Sequence, residues 1–186
     1  KGTVFDFKFD HQSFSHLHLG LLGEFQVENA CLALSALCFL SSRDQFTLDQ
    51  SVIRNCLRTA RIAGRMERQK VGAKIVIIDG AHNQQKMKAL GRSLRTIFPQ
   101  QKFSFLVSFK QGKDYRKMLE EIFPLAEDIT LTSIFKDQPQ FRFLSQPLPE
   151  VMTYLRQQSP CPFAVEENSR RALGKALAKT KNVLVI

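Results

Sequence analysis

Lys74-Ile-Val-Ile-Ile-Asp-Gly-Ala-His-Asn83 sets a β-branched apolar run directly against an acid, two small residues, an imidazole and an amide. A run of this length, bounded by turn residues, reads as a strand buried on both faces. Gln84 to Phe98 follows with Met87, Leu90, Leu94 and Ile97, the 3-4-3 spacing of one helical face. Asp79 to Asn83 is therefore expected at the carboxyl end of a parallel strand, where it meets a helix N-terminus. Open α/β sheets bind ligands at that edge, and helix N-termini attract phosphate. Asp79 can accept from ribose hydroxyls, and Gly80 lets backbone approach a ligand. His82 can donate to a phosphate, and Asn83 can cap the helix. Asp79 and Asn83 also fit simple turn and cap roles, and spacing alone leaves both readings open.

The alternation continues downstream. Strands are predicted at Lys74–Ile78, Phe103–Phe109, Ile129–Ser133, Phe163–Val165 and Val183–Ile186. Helices are predicted at Gln84–Phe98, Asp114–Ile122, Pro149–Gln158 and Ser169–Lys179, with Asn168 as an N-cap. Such alternation builds an α/β fold: a Rossmann-like, mostly parallel sheet with helices on both faces. Ile134 to Phe143 reads as an irregular surface loop.

The region before this differs in character. Phe5, Phe7 and Phe9 alternate with polar residues, and Phe14 to Leu19 forms a second run, so a strand pair turning near Asp10 to Ser13 is expected. Glu24 to Leu40 is rich in Ala and Leu, with an apolar stripe at Val27, Ala30, Cys31, Leu34, Leu37 and Cys38. Gln26 and Asn29 stand three apart at its start, either as a solvated first turn or as a ligand-facing amide pair. Thr47-Leu48-Asp49-Gln50 reads as a capping box for a helix over Leu48–Ala60, with Val52, Ile53, Cys56 and Leu57 inward. Gly64 breaks the pattern, and a domain boundary is placed between 1–60 and 61–186.

Composition narrows the class. The 186 residues are 44% hydrophobic and 24% charged, which supports a globular core over disorder. No apolar run approaches the roughly 20 residues of a membrane span. No signal-peptide pattern opens the chain, and the missing initiator methionine suggests part of a longer protein. Cys31, Cys38, Cys56 and Cys161 form no Cys-x-x-Cys pair and read as small core residues of a reduced, cytoplasmic protein. His16 and His18 lack the neighbours a zinc site needs, so no metal ligands are expected. The net charge of +10 implies anionic partners. The Arg58, Arg61, Arg65, Arg68 and Lys70 patch has no interleaved aromatics for stacking single strands, so no nucleic acid is expected.

Three motifs now stand in order: Gly23-x-x-Gln26-x-x-Asn29-Ala30, Gly64-Arg65-Met66-Glu67 and Asp79-Gly80-Ala81-His82-Asn83. Their order and spacing resemble the folylpolyglutamate synthase/dihydrofolate synthase family of the Mur ligase superfamily. The resemblance covers nearly the whole chain. It implies the end of a central ATPase domain over 1–60 and most of the C-terminal glutamate ligase domain over 61–186. The sequence departs from the family pattern at Phe25, Ala63, Gln84 and the Gln111-Gly112-Lys113-Asp114 stretch. No Gly-x-x-x-x-Gly-Lys-Ser/Thr phosphate loop is present in these residues.

The resemblance implies an ATP-dependent amide ligase that adds L-glutamate to folate or dihydropteroate through an acyl phosphate. Carried over by position, Asn29 would bind the adenine edge with Gln26 supporting it. Arg65 would reach the nucleotide, Asp79 the ribose and His82 the phosphates. Lys113 and Asp114 would lie near the incoming glutamate, and His82 with Lys113 would take part in catalysis. ATP and Mg2+ are the implied cofactors, with the metal's ligands outside these residues. The expected protein is monomeric, has no membrane partner and is inactive as this chain alone. Another Mur-type ligase acting on a peptidoglycan precursor is a second reading. A noncatalytic basic module binding nucleotide or nucleic acid is a third.

Overall fold

The computed structural model describes residues 2–133, 136–138, 141–179 and 182–186. They divide into two compact units, Lys1–Glu67 and Arg68–Ile186.

In the first unit, β1 (Thr3–Phe9) and β2 (Gln12–Leu19) pair antiparallel around Asp10 and His11. Two strands alone are marginal in water. Here the ribbon is backed by α1 (Glu24–Asp44) and α2 (Gln50–Thr59). Phe7, Phe14 and Leu17 from the ribbon meet Leu34 and Cys38 of α1 and Ile53 of α2 in one core.

Both helices differ from expectation. α1 runs on to Asp44, and it is long and apolar enough to cross a membrane by length and composition alone. Only Gln26, Ala30, Leu34 and Cys38 are buried along it, while Leu37 is exposed and Leu32 is 70% exposed. Its stripe is thus narrower than the apolar composition suggests. In α2 the cap is Asp49, whose carboxylate accepts from the Ser51 and Val52 amides, so the helix starts two residues later than a Thr47 cap would set it. That frame buries Ile53 and leaves Val52 and Cys56 exposed, so Cys56 is not a core residue.

In the second unit, β3 (Glu67–Val71) and β4 (Lys74–Ile78) are joined by Gly72 and Ala73. α3 (Gln84–Ile97), β5 (Phe103–Val107), α4 (Tyr115–Ile122) and β6 (Ala126–Ser133) follow. A short antiparallel ribbon, β7 (Lys136–Gln138) and β8 (Phe141–Phe143), stands where an irregular loop was expected. Ile134, Phe135, Pro139 and Gln140 lie outside the described residues. Backbone pairing organises this segment, which periodicity could not show over three-residue strands. The unit ends with α5 (Leu148–Gln158), β9 (Phe163–Asn168), α6 (Ser169–Ala178) and β10 (Val183–Val185).

Six strands form one sheet in the order β3-β4-β10-β5-β6-β9, and β4 through β9 in that order pair parallel. β3 adds an edge strand, exposed over Arg68–Val71, that no apolar pattern announced. The crossovers from β4 through β9 advance in one direction across the sheet, whereas β9 to β10 runs back. Right-handed connections therefore put α3, α4 and α5 on one face and α6 on the other. Contacts agree: α3 touches α4, α4 touches α5, and α6 lies on β5, β6 and β9. The sheet is buried through Phe103, Phe105, Val107, Ile129 and Leu131, with Phe98, Phe103 and Phe105 meeting edge to face in succession.

Phe105 is wholly inaccessible, so Phe105→Ala should cost about 3–5 kcal/mol, read as a lowered urea midpoint. Asn168 caps α6 by accepting from the Arg171 amide, and Asn168→Ala should cost about 0.5–2 kcal/mol in the same titration.

Candidate functional site

The carboxyl edge of the parallel sheet collects the chemistry of the second unit. β4 ends at Ile78, and the Asp79 amide then donates to the Val185 carbonyl at 3.0 Å. Asp79 is 6% exposed, and its Oδ1 accepts from the Ala81 amide at 2.8 Å. The acid shapes the turn that presents Gly80 to Asn83. Asn83 caps α3 by accepting from the Lys86 amide at 2.9 Å, as its position after the strand led one to expect. The free amides of the first α3 turn thus open at the strand end, a favourable place for an anion.

His82 is exposed. Its Nδ1 lies 2.8 Å from the Gly80 carbonyl, an acceptor only, so this nitrogen donates. Nε2 then accepts from the Lys86 ammonium at 3.2 Å. As arranged, the imidazole bridges the Gly80 carbonyl and the Lys86 side chain. Sequence reading passed over Lys86. Its signal was the (i, i+4) spacing from His82, which puts the two on one side of the helix start.

The second half of this edge follows β5. β4 and β5 flank β10, so their ends lie about 9–10 Å apart at ordinary strand spacing. The loop after β5 is tied down by Gln111 N–H to the Leu144 carbonyl at 2.9 Å and Gln146 N–H to the Phe109 carbonyl at 2.7 Å. Gly112, at φ 78, turns the chain into α4, whose cap is Asp114 accepting from the Lys117 amide. Lys113 is exposed at the rim of a cavity of about 620 Å3 that Asp114, Arg116, Lys117, Glu120 and Glu150 also line. Arg116 lies over the Tyr115 and Tyr154 rings at 4.8 and 5.9 Å from their centroids, and the Tyr154 hydroxyl donates to Glu120 at 3.2 Å. Burial, and then that hydrogen bond and the Glu120 charge, push the Tyr154 phenol up from its usual range. The rim offers both cations and carboxylates, which suits a small zwitterion. Asp114 serves as the α4 cap, so its reach toward a ligand is through the remaining lone pairs.

The other expected residues sit in the first unit. Gln26 is 2% exposed, and its carbonyl oxygen accepts from the Asn29 amide at 3.1 Å. The pair is joined, with Gln26 inside and Asn29 exposed, leaving Asn29 an oxygen and an N–H for a guest. Arg65 lies in the turn Gly64–Glu67, closed by the Gly64 amide donating to Glu67 Oε2 at 3.0 Å. Met66 in that turn packs on Gly23, the residue that starts α1. Arg65 is thereby held next to the helix end that carries Gln26. Among the described residues no group of three or more His, Cys, Asp or Glu is arranged to hold a metal ion.

Residues 63–138 match a family model described as the dihydrofolate synthetase C-terminal domain. A dihydrofolate synthase/folylpolyglutamate synthase of Bacillus subtilis (strain 168) is 26% identical over 132 residues, covering 71% of this chain and 30% of that protein. The crystal structure of a folylpolyglutamate synthase from Thermotoga maritima superposes with a TM-score of 0.79 at 23% identity, over 99% of this chain and 40% of that one. A Mycobacterium tuberculosis folylpolyglutamate synthase complexed with ADP gives 0.76 at 24% identity, over 94% and 39%. The chain thus spans under a third of the curated relative's length and about two fifths of each of these structures. The solved structures share the fold, the matched residues 63–138 include the Asp79–Asn83 turn and the loop after β5, and together these matches support a likeness to the C-terminal part of the folylpolyglutamate synthase/dihydrofolate synthase family.

Proposed function

We propose that this chain is the C-terminal portion of an ATP-dependent ligase that joins L-glutamate to a folate or dihydropteroate carboxylate. Residues 1–60 would close the ATPase domain, and 61–186 would form the glutamate ligase domain. The observation that carries the reading is the shared sheet edge: an acid-glycine-histidine turn after β4 and a cation-rich loop after β5, one strand apart.

In this reading, ATP phosphorylates the carboxylate, the glutamate amine attacks the acyl phosphate, and phosphate leaves. That chemistry needs charge neutralisation at the transferring phosphoryl group and exclusion of water. Asn29, steadied by Gln26, would read the adenine edge, and Arg65 would reach the nucleotide. Asp79 would accept from ribose, and His82 with Lys86 would meet the phosphates. Lys113 and Asp114 would flank the incoming glutamate. Mg2+ would add positive charge at the phosphates, with ligands from outside this chain. Four free cysteines suit a reducing cytoplasm. A monomer is the state proposed.

Three outcomes test this. The chain alone, given ATP, magnesium, glutamate and folate, should release no phosphate above background, because it contains no phosphate loop. Glutamate-dependent turnover by the isolated chain would contradict that. In the full-length enzyme, Asp79→Asn keeps an oxygen for the Ala81 amide but removes the charge. Its melting temperature should stay nearly constant while kcat/KM for ATP falls about tenfold to a hundredfold, the size of a weakened charged hydrogen bond. His82→Ala should lower kcat more than it raises KM, since phosphate contacts strengthen as charge develops. Normal ATP kinetics in both variants would reduce the stretch to a turn.

A further inference from the structure

The His16-Leu17-His18 pair has no part in the nucleotide reading, yet the fold brings it against basic residues. A cavity of about 310 Å3 lies between β2 and α2, lined by His16, His18, Ser51, Arg54, Asn55 and Arg58. It lies wholly within the first unit. Ser51, Arg54, Asn55 and Arg58 share one face of α2 by their spacing.

The strand side is built irregularly. Phe5 pairs with Leu17 and Phe7 with Phe14, so β2 carries one residue more than β1 across this interval. The extra residue is accommodated at His16, whose φ is 54 and whose amide donates to Asp6 Oδ1 at 2.6 Å. A left-handed backbone is uncommon outside glycine, and bulges recur where a strand re-aims a side chain. The bulge lets Phe14 and Leu17, three apart, both enter the core while His16 and His18 both line the cavity.

The polar groups are mostly donors. Arg54 gives one Nη1–H to the His16 carbonyl at 3.2 Å, and Arg58 gives one Nη2–H to Asn55 Oδ1 at 3.2 Å. A guanidinium has five N–H groups, so each keeps several for a guest. No lining residue is acidic. The carboxylates of Asp49 and Asp6 are occupied: Asp49 accepts from the Ser51 amide and hydroxyl, and Asp6 holds the His16 amide. Among the described residues neither Arg54 nor Arg58 makes an ion pair.

We propose that this cavity binds a compact oxyanion, a phosphate monoester or a small dicarboxylate. Arg54 and Arg58 stand one turn apart, about 6 Å along the helix. Their forks match carboxylate and phosphate geometry. A volume at the small end of ligand sites suits a guest about the size of an amino acid or a phosphate ester. No Phe, Tyr or Trp is among the lining residues. The site does not depend on ATP chemistry elsewhere in the protein.

The test uses inorganic phosphate and glutarate as probes, titrated into the 186-residue chain at constant ionic strength. Calorimetry and amide shift mapping read the result, and the two probes separate the phosphate from the dicarboxylate source. At least one probe should saturate and move amides in 16–18 and 51–58. Arg54→Gln with Arg58→Gln should weaken it about tenfold or more, given two charged donors lost. Arg92→Gln with Arg95→Gln, exposed on α3, removes the same charge and should leave binding unchanged. Should the first pair fail to fold, His18→Gln alone should still weaken binding measurably and shift the same amides less. The proposal is overturned if neither probe saturates the parent chain, if the Arg54/Arg58 pair or His18→Gln binds as tightly as the parent, or if the α3 pair weakens binding equally.

Discussion

Val183–Val185 hydrogen-bonds to two strands that would otherwise not be joined. It lies between β4 and β5, so without it the sheet is two separate pieces, β3-β4 and β5-β6-β9. Both of its ends are clamped. Before it, Asn182 Oδ1 accepts from the Ile75 amide and the Asn182 carbonyl from the Ser104 amide. After it, the Ile186 carbonyl accepts from Ser108 and the Ile186 amide donates to Leu106. The Val185 carbonyl takes the Asp79 amide, so the turn that starts the candidate site is held by the last strand. These pairings bridge about a hundred residues, and their loop-closure entropy must be met before the sheet's centre can form.

Much of this was legible from residue pattern. The Ile75–Ile78 run, the 3-4-3 helix and the Asn83 cap recover the strand, the turn and the helix as they stand, because burial on both faces and capping each leave local marks. Where the marks were missing, reading failed. β3 is Glu-Arg-Gln-Lys-Val, exposed at the sheet edge, and carries no apolar alternation. The α2 start was misplaced because Thr47 and Asp49 both make acceptable caps. Asp49 wins with two backbone amides on one carboxylate. Lys86 was missed because its role depends on a contact with the His82 ring, which depends in turn on the Gly80 carbonyl fixing the tautomer.

The Gln26–Asn29 pair shows burial that spacing could not announce, with one amide inside and the other exposed. A buried primary amide is costly unless its polar atoms find partners. Gln26 meets this by accepting from Asn29, which leaves the outer amide oriented from within. A solvated first turn would have no reason to bury Gln26.

The same end of α1 carries backbone strain. Gly23 has φ 100, and a Cβ there would lie 2.9 Å from Met66 Sδ and 2.8 Å from the Phe25 ring. Met66, fully buried, has φ 46, a left-handed conformation that costs an unbranched side chain roughly 1–3 kcal/mol. Such residues persist only where the surroundings over-determine them. Here the Gly64 amide bonded to Glu67 closes the turn, and the Met66 side chain fills the space that a glycine at 23 leaves. A glycine at 66 would relax the backbone but remove a buried side chain, and truncating a buried methionine costs about 2–5 kcal/mol, more than the strain. Keeping methionine instead anchors the turn in the core beside α1, and the residue so anchored next to it is Arg65. The strain therefore sits beside Arg65, next to the helix start that carries Gln26 and Asn29.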